Sequence, residues 1–405
     1  MSTESGATDE NRPTVECARC EMAVPAGDFC GWCGDHLDDR KHRGPTWLRA
    51  DAFSASPREH LLSPNIGSSL FPHLPPASRI VFMIGLGLLL AALVAAMLFR
   101  LPAAIITIAA LGLPLLFLIY LQEADVHRDI PSMTVVLTAA LGIGIGVGWV
   151  LLTGAVVAKS YGVPLGAGIS GVRLLRDGLG VPIGGMLLML VPAALVRLIR
   201  PGPKEALDGF ALGALGALMF TGAATLTRLA PQFTTGMVAK ARPIEGLIVE
   251  AGIRGIAVPL TAACVGGLVG TALWFTRPSD RKYKGRNYVR LVLAVMAIVV
   301  VGLYAALGLI DVARVPQLLQ LAVHLTMTAV ALLALRVGVH LALMHEEHDE
   351  IHENEPILCP HCGHVVPDMA FCVACGASIR ASSRSSRQAR REFRPVRVEP
   401  EPGAP

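Results

Sequence analysis

Charged and aromatic side chains are scarce in this sequence. Only 16% of the 405 residues are charged and 5% aromatic, whereas 53% are hydrophobic. A soluble domain buries its core with far less apolar content, so that class is excluded. Amphipathic spacing is also missing, because the apolar residues come in blocks. The opening stretch MSTESGATDENRP lacks a basic region followed by an apolar one. No cleavable leader is therefore expected, and the first apolar block should serve as the insertion signal.

What is present is a series of blocks near the length needed to span a bilayer, about 20 residues. They fall at roughly 80–99, 103–121, 133–158, 179–197, 209–227, 255–275, 291–310 and 317–339. The stretches GVPLGAGISGVRLL and IEGLIVEAGIRG are intermediate in polarity and read as interfacial or re-entrant helices. The expected fold is thus an all-α polytopic membrane protein with about eight transmembrane helices and a small cysteine-bearing module at each end.

Eight spans return both termini to one side. The loop TRPSDRKYKGRNYVR at 276–290 carries six basic residues and one acidic one and shares that side. By the positive-inside rule both termini are expected in the cytoplasm of a bacterial inner membrane.

Eight of the nine cysteines form four CxxC pairs. CARCEMAVPAGDFCGWCG and CPHCGHVVPDMAFCVACG repeat one pattern at an offset of 342 residues. Two knuckles can surround a tetrahedral Zn²⁺ with four thiolates and leave no open position. The expected ligands are Cys17, Cys20, Cys30 and Cys33 in one structural site, and Cys359, Cys362, Cys372 and Cys375 in the other. Disulfides would require an oxidising compartment, and a redox dithiol would normally be a single CxxC. Zinc thiolates need a reducing compartment, which agrees with cytoplasmic termini. Cys264, alone in an apolar run, reads as a packing residue.

These features divide the chain. Residues 1–16 are expected to be disordered, 17–37 a ribbon, 38–79 a flexible linker rich in Pro, Ser, His and Arg, and 80–344 the helical membrane domain. Residues 345–356 read as a juxtamembrane acidic and His-bearing helix, 357–379 as the second ribbon, and 380–405 as a disordered Arg/Ser/Pro tail. On a helix, His345, His348 and His352 would share a face. His348–His352 departs from HExxH by carrying Asp349 in place of the glutamate, which favours a solvated helix over a metal site. Arg336 and His340 share a face in the last span and should line the bundle interior, with His324 a hydrogen-bonded packing residue. The tail carries Arg380, Arg384, Arg387, Arg390, Arg391, Arg394 and Arg397, a run expected to bind anionic lipid headgroups at the membrane surface.

Residues 105–310 resemble the PrsW-type intramembrane metalloproteases. Tyr120, Asp125, Asp129 and Pro131 fit the family's first element; Asp208, Gly209, Gly213 and Phe220 its Asp-Gly span; Pro259 and the following glycines its next span. The stretch VPAALVRL occupies the place of two adjacent glutamates followed by a lysine, which become Ala193, Ala194 and Arg197. A later family glutamate falls near Ala224 and a histidine near Ala263; no HxxxD precedes Asp311. Membrane metalloproteolysis needs His and carboxylate ligands and a carboxylate to activate water. Glu245, Glu250 and Asp208 do not replace that set at recognisable spacing. No catalytic residues are therefore assigned.

The resemblance implies a PrsW-like pseudoprotease domain: a non-catalytic membrane scaffold or regulator. The glycine faces Gly213/Gly216 and Gly266/Gly267/Gly270 would hold a substrate helix or, as the simpler reading, pack internal helices. The expected partners are the bilayer and a membrane or cytoplasmic protein held by the ribbons, which could also bind each other; nucleic acid is disfavoured. An active protease with a rearranged site, or a transporter or channel, is the alternative.

Overall fold

The computed structural model describes residues 13–38, 48–49, 52–57, 59–63, 65–72, 74, 76–160, 176–199, 205–233, 244–275, 286–312, 315–347 and 349–395. Residues 1–12, His348, residues 161–175, the 276–285 part of the basic loop, and Arg397 lie outside them.

The chain opens with a hairpin, β1 (Thr14–Glu16) and β2 (Ala23–Pro25), paired antiparallel. A short helix α1 (Ile66–Leu70) precedes the bundle. The bundle comprises α2 (Pro76–Leu98), α3 (Pro102–Glu123), the single turn α4 (Val126–Asp129), α5 (Ser132–Ser160), α6 (Val181–Ile199) and α7 (Ala206–Leu229). It continues with α8 (Ile244–Glu250), a π-helical stretch Ala251–Ala257, α9 (Val258–Trp274), α10 (Arg286–Val312) and α11 (Gln317–His345). A second hairpin, β3 (His352–Leu358) and β4 (Val365–Asp368), and a last helix α12 (Arg384–Glu392) follow.

Among the described residues, eight helical segments are long and apolar enough to cross a membrane. They alternate in direction, so both hairpins sit at one face, here called the ribbon face. The stretch IEGLIVEAGIRG is not re-entrant: it forms the first half of one continuous crossing, Glu245–Trp274.

α7 and α9 form the buried centre. A Cβ on Gly213 would collide with the carbonyl oxygen of Gly266, and one on Gly266 with that of Gly213. Gly209 and Gly270 repeat this reciprocal contact one turn on. Small residues let the two backbones touch, which gives dispersion contact where lipid offers no hydrophobic drive. The glycine faces therefore pack internal helices. Thr261 and Thr328 add a hydroxyl bond between α9 and α11 at 2.9 Å.

Three sequence expectations are corrected. The first is the linker. Phe53, Ala55, Leu61, Leu70, Phe71 and Leu74 are buried in the bundle core. Phe71 lies 5.1 Å from the ring of Phe82 and 5.0 Å from that of Tyr120. The second is the acidic helix. α11 ends at His345, Glu346 turns extended, and His352 already belongs to β3, so His345 and His352 share no helical face; His348 lies outside the described residues. The third concerns the ends. Thr14–Glu16 is a strand of the first ribbon, and Arg384–Glu392 is a helix within the expected disordered tail. In each case contacts distant in sequence, which composition does not report, order the segment.

Candidate metal centres and the ribbon face

Each ribbon is built from two knuckles. In the first, the Glu21 amide donates to the Cys17 carbonyl at 2.8 Å, and Gly34 to Cys30 at 2.7 Å. The second repeats this with Gly363 to Cys359 at 3.0 Å and Gly376 to Cys372 at 2.9 Å. These turns need left-handed backbone, supplied at φ 72° by Gly34 and at 70° by Gly376.

The turns bring all eight predicted cysteines into two sets. Within each set the four sulfurs lie within 4.8 Å of one another. The Sγ–Sγ separation is 3.8 Å for Cys17–Cys33 and 3.7 Å for Cys20–Cys30. It is 3.9 Å for Cys359–Cys375 and 3.8 Å for Cys362–Cys372. A tetrahedron with metal–sulfur arms of about 2.3 Å has edges of about 3.8 Å. The donor sets therefore fit a four-coordinate thiophilic cation. In each set one thiol, Cys17 or Cys359, is pulled far below the ordinary value by hydrogen bonds from neighbouring thiols. All nine cysteines are unbridged, and Cys264 is buried in the bundle core as a packing residue.

The two ribbons pack on each other with matched contacts. The amides of Asp28 and Phe29 both donate to Val373 O at 3.0 Å, and Phe371 N donates to Gly31 O at 2.9 Å. Phe371 covers Gly34 and Phe29 covers the equivalent Gly376, each ring lying 2.5 Å from where a Cβ would stand; at Gly34 the Arg49 guanidinium stands closer still. One apolar cluster unites both thiol sets.

Residues 48–72 attach this pair to the bundle. Arg49 is fully buried, and burial pushes its guanidinium down to about 10. It donates to Ser54 Oγ (2.9 Å), Cys33 O (3.3 Å) and Gly376 O (3.3 Å), touching both ribbons at once. His340 accepts from the Ser54 amide at Nδ1 (3.1 Å) and donates from Nε2 to Leu48 O (2.8 Å). Arg336 donates to Leu61 O (2.8 Å), Ser68 Oγ (2.7 Å) and Glu59 Oε2 (2.8 Å), and its guanidinium stacks 3.9 Å from the centre of the Phe53 ring. The pair expected to line the bundle interior thus does so, holding the segment whose composition reads as a linker. Burial opposes charge on Glu59, but hydrogen bonds from Ser68, Arg336 and Ser56 outweigh it and hold the carboxyl low.

The tail helix closes the same face. Ser383 caps it, and Asp129 accepts the Ser385 amide at 2.8 Å. Arg387 pairs with Glu205 and with Asp349 at 2.8 Å; Arg384 meets Asp208 at 3.0 Å. Arg380 meets Glu205 at 3.1 Å, Arg391 meets Asp368 at 2.9 Å, and Arg394 meets the same carboxylate at 3.1 Å. Arg390 donates to Leu358 O at 3.2 Å. Within the run expected to meet lipid headgroups, Arg380, Arg384, Arg387, Arg391 and Arg394 are engaged by carboxylates of the protein itself. Glu205 was missed in the sequence, although an acidic residue before an apolar helix with an acid three places on is a cap signal. Burial works against its charge, yet Arg387, Arg380 and Arg384 hold it down at about 2.

The positions assigned by the resemblance lie apart. Ala193 and Ala263 are buried in the core of α6 and α9, while Ala224 and Asp311 line a cavity towards the opposite face. Arg197 stacks over Trp274 at 5.6 Å, at the ribbon-face end of α6. Asp208 belongs to the ribbon face and Glu250 to the cavity wall.

The fold and sites define a helical, multi-pass membrane protein with a four-cysteine metal-binding cluster near each end. No family model, curated protein or solved structure matches the chain.

Proposed function

We propose that this protein is a non-catalytic scaffold or regulator of a bacterial inner membrane, a PrsW-like pseudoprotease bundle that presents a zinc-held ribbon pair to a cytoplasmic or membrane protein partner. The observation that carries the reading is the fate of the positions where a membrane metalloprotease would need its chemistry. Ala193 and Ala263 are methyl groups packed inside the bundle. Among the described residues, the two thiol sets are the only groups of three or more His, Cys, Asp or Glu side chains placed to share a metal. Both sets are full with four thiols, so neither offers the open position hydrolysis requires.

Zinc is the cation that best suits four thiolates in tetrahedral array in a reducing compartment. That compartment, together with the basic 276–290 loop of the sequence, supports a cytoplasmic ribbon face. The metal substitutes for the core that so short a module cannot build. Joined through Arg49 and the tail helix, the ribbon pair forms a continuous platform suited to protein contact.

The test is incubation of the purified protein with a tethered single-span substrate, with and without a membrane-permeable chelator. No cleavage above background is expected. Chelator-sensitive cleavage would contradict the reading.

A further inference from the structure

The opposite half of the bundle holds a cavity of about 690 Å³, within the range of sites that enclose small molecules. It lies among α5, α6, α7, the Glu245–Trp274 crossing, α10 and α11. Its walls differ by depth. Trp149, Met189, Phe220 and Leu307 form an apolar part. Arg228, Arg254, Glu250, Asp311, Gln320 and His324 form a polar part. Arg228 is one residue from the end of its span and Asp311 is the last residue of another. Arg228 and Asp311 therefore sit near headgroup level, and the apolar wall lies towards the acyl region.

The polar groups are not mutually satisfied. Asp311 Oδ1 accepts from Gln320 at 2.7 Å and faces His324 Nε2 at 2.9 Å. Arg228 and Arg254 lie within electrostatic reach of each other and of Asp311. Neither guanidinium makes a hydrogen bond or ion pair to a described residue. Two guanidiniums offer up to ten N–H donors, and facing cations repel unless an anion joins them. Arg254 stands on the π-helical stretch Ala251–Ala257, a local departure from α-helix that is frequent where side chains are re-aimed for function.

We propose that this cavity binds an amphiphile with an acceptor-rich anionic headgroup, held by Arg228 and Arg254, with its apolar part against Trp149, Met189 and Phe220. A phosphate diester satisfies the donors, because each of its two charged non-bridging oxygens can accept from one guanidinium fork. Glu250 and Asp311 at the rim disfavour a headgroup carrying excess negative charge and favour a single phosphate. The site is independent of the scaffold reading and would stand if that reading failed.

The test uses the full-length protein extracted from nanodiscs of equal parts phosphatidylglycerol and phosphatidylcholine, with retained lipid read by native mass spectrometry. Wild type is expected to retain phosphatidylglycerol preferentially. The double variant Arg228→Gln/Arg254→Gln should lose that preference by about tenfold or more, since each removes a charged hydrogen-bonding group. The exposed-site control Arg128→Gln should not. If the double variant fails to fold, the single variants R228Q and R254Q carry the same comparison. A parallel arm titrates delipidated wild type with inorganic phosphate and follows thermal stability. Stabilisation by phosphate that R228Q or R254Q abolishes, without lipid retention, identifies a soluble phosphate as the source and upholds the anion site. Equal retention of both lipids by wild type together with indifference to phosphate overturns the proposal, as does unchanged retention in a folded R228Q/R254Q protein.

Discussion

Arg387 of the tail helix and Glu205, the cap of a central membrane helix, form a buried ion pair across 182 positions of sequence, with Arg387 Nη1 3.3 Å from Glu205 Oε2. Arg380 and Arg384 converge on the same carboxylate, and that carboxylate fixes the tail to the bundle.

Removing Arg387 leaves Glu205 enclosed with less compensation. Arg387→Met should destabilise the ribbon face by about 3 kcal/mol, the usual cost of stripping one partner from a buried pair. Arg390→Met, whose side chain bonds only the exposed Leu358 carbonyl among the described residues, should cost less than about 0.5 kcal/mol. Chemical denaturation with a fluorophore on the tail measures both. Equal effects would contradict the assignment of Glu205 as the tail's anchor.

The same face is expected to respond to pH through Glu346. Burial pushes its carboxyl up to about 7 from an ordinary 4.5, against the pull of Arg380. The docked state therefore holds a proton that the released state gives up above its ordinary value, so docking is strongest below about 4.5 and weakens as pH rises towards 7. The size is on the order of 3 kcal/mol. Glu205 works in the opposite sense, ionised and stabilising above 4.5 and losing that contribution only as pH falls towards 2. Hydrogen exchange of the tail helix at several pH values reads the balance, and Glu346→Gln should flatten the slope between about 4.5 and 7.

Arg336 is the corresponding anchor for residues 52–72. Arg336→Met removes donors to Leu61, Ser68, Ser69, Glu59 and His60. A loss of about 3 kcal/mol is expected, seen as protease sensitivity of this segment at unchanged helix content. Glu59→Gln should cost less, because its neutral amide keeps the hydrogen bond and its site is partly open. Resistance to cleavage in R336M would contradict the account.

Apolar block length made the eight crossings legible in the sequence, and the repeated CxxC spacing made the thiol sets legible, because both signals are local. Arg336 and His340 were legible as interior-facing, since a charge in lipid demands a partner. Their partners were not, because Glu59 and Ser54 belong to a Pro- and Ser-rich stretch whose composition suits a linker. The tail was misread for the same reason: its arginines have acids for neighbours only in three dimensions. The 244–257 segment was misread because Glu245, Glu250 and Arg254 lower its hydropathy, although the last two line a cavity rather than leave the membrane.

The joining of the ribbons rests on Gly34 and Gly376. Gly34→Val should force both a strained φ, costing about 1–3 kcal/mol, and collisions with Arg49 and Phe371. The equivalent change at Gly376 should collide with Phe29. Each variant should raise hydrogen exchange in both ribbons, not only in its own. Exchange confined to the mutated ribbon would argue that the two fold independently.

Metal content decides whether both ends of the chain are held by metal, as proposed above. Protein purified under reducing conditions should carry about two zinc ions per chain, one for each set of four thiols, and substitution of Cys30 and Cys372 together should abolish both. A value near zero in folded wild-type protein would contradict the account.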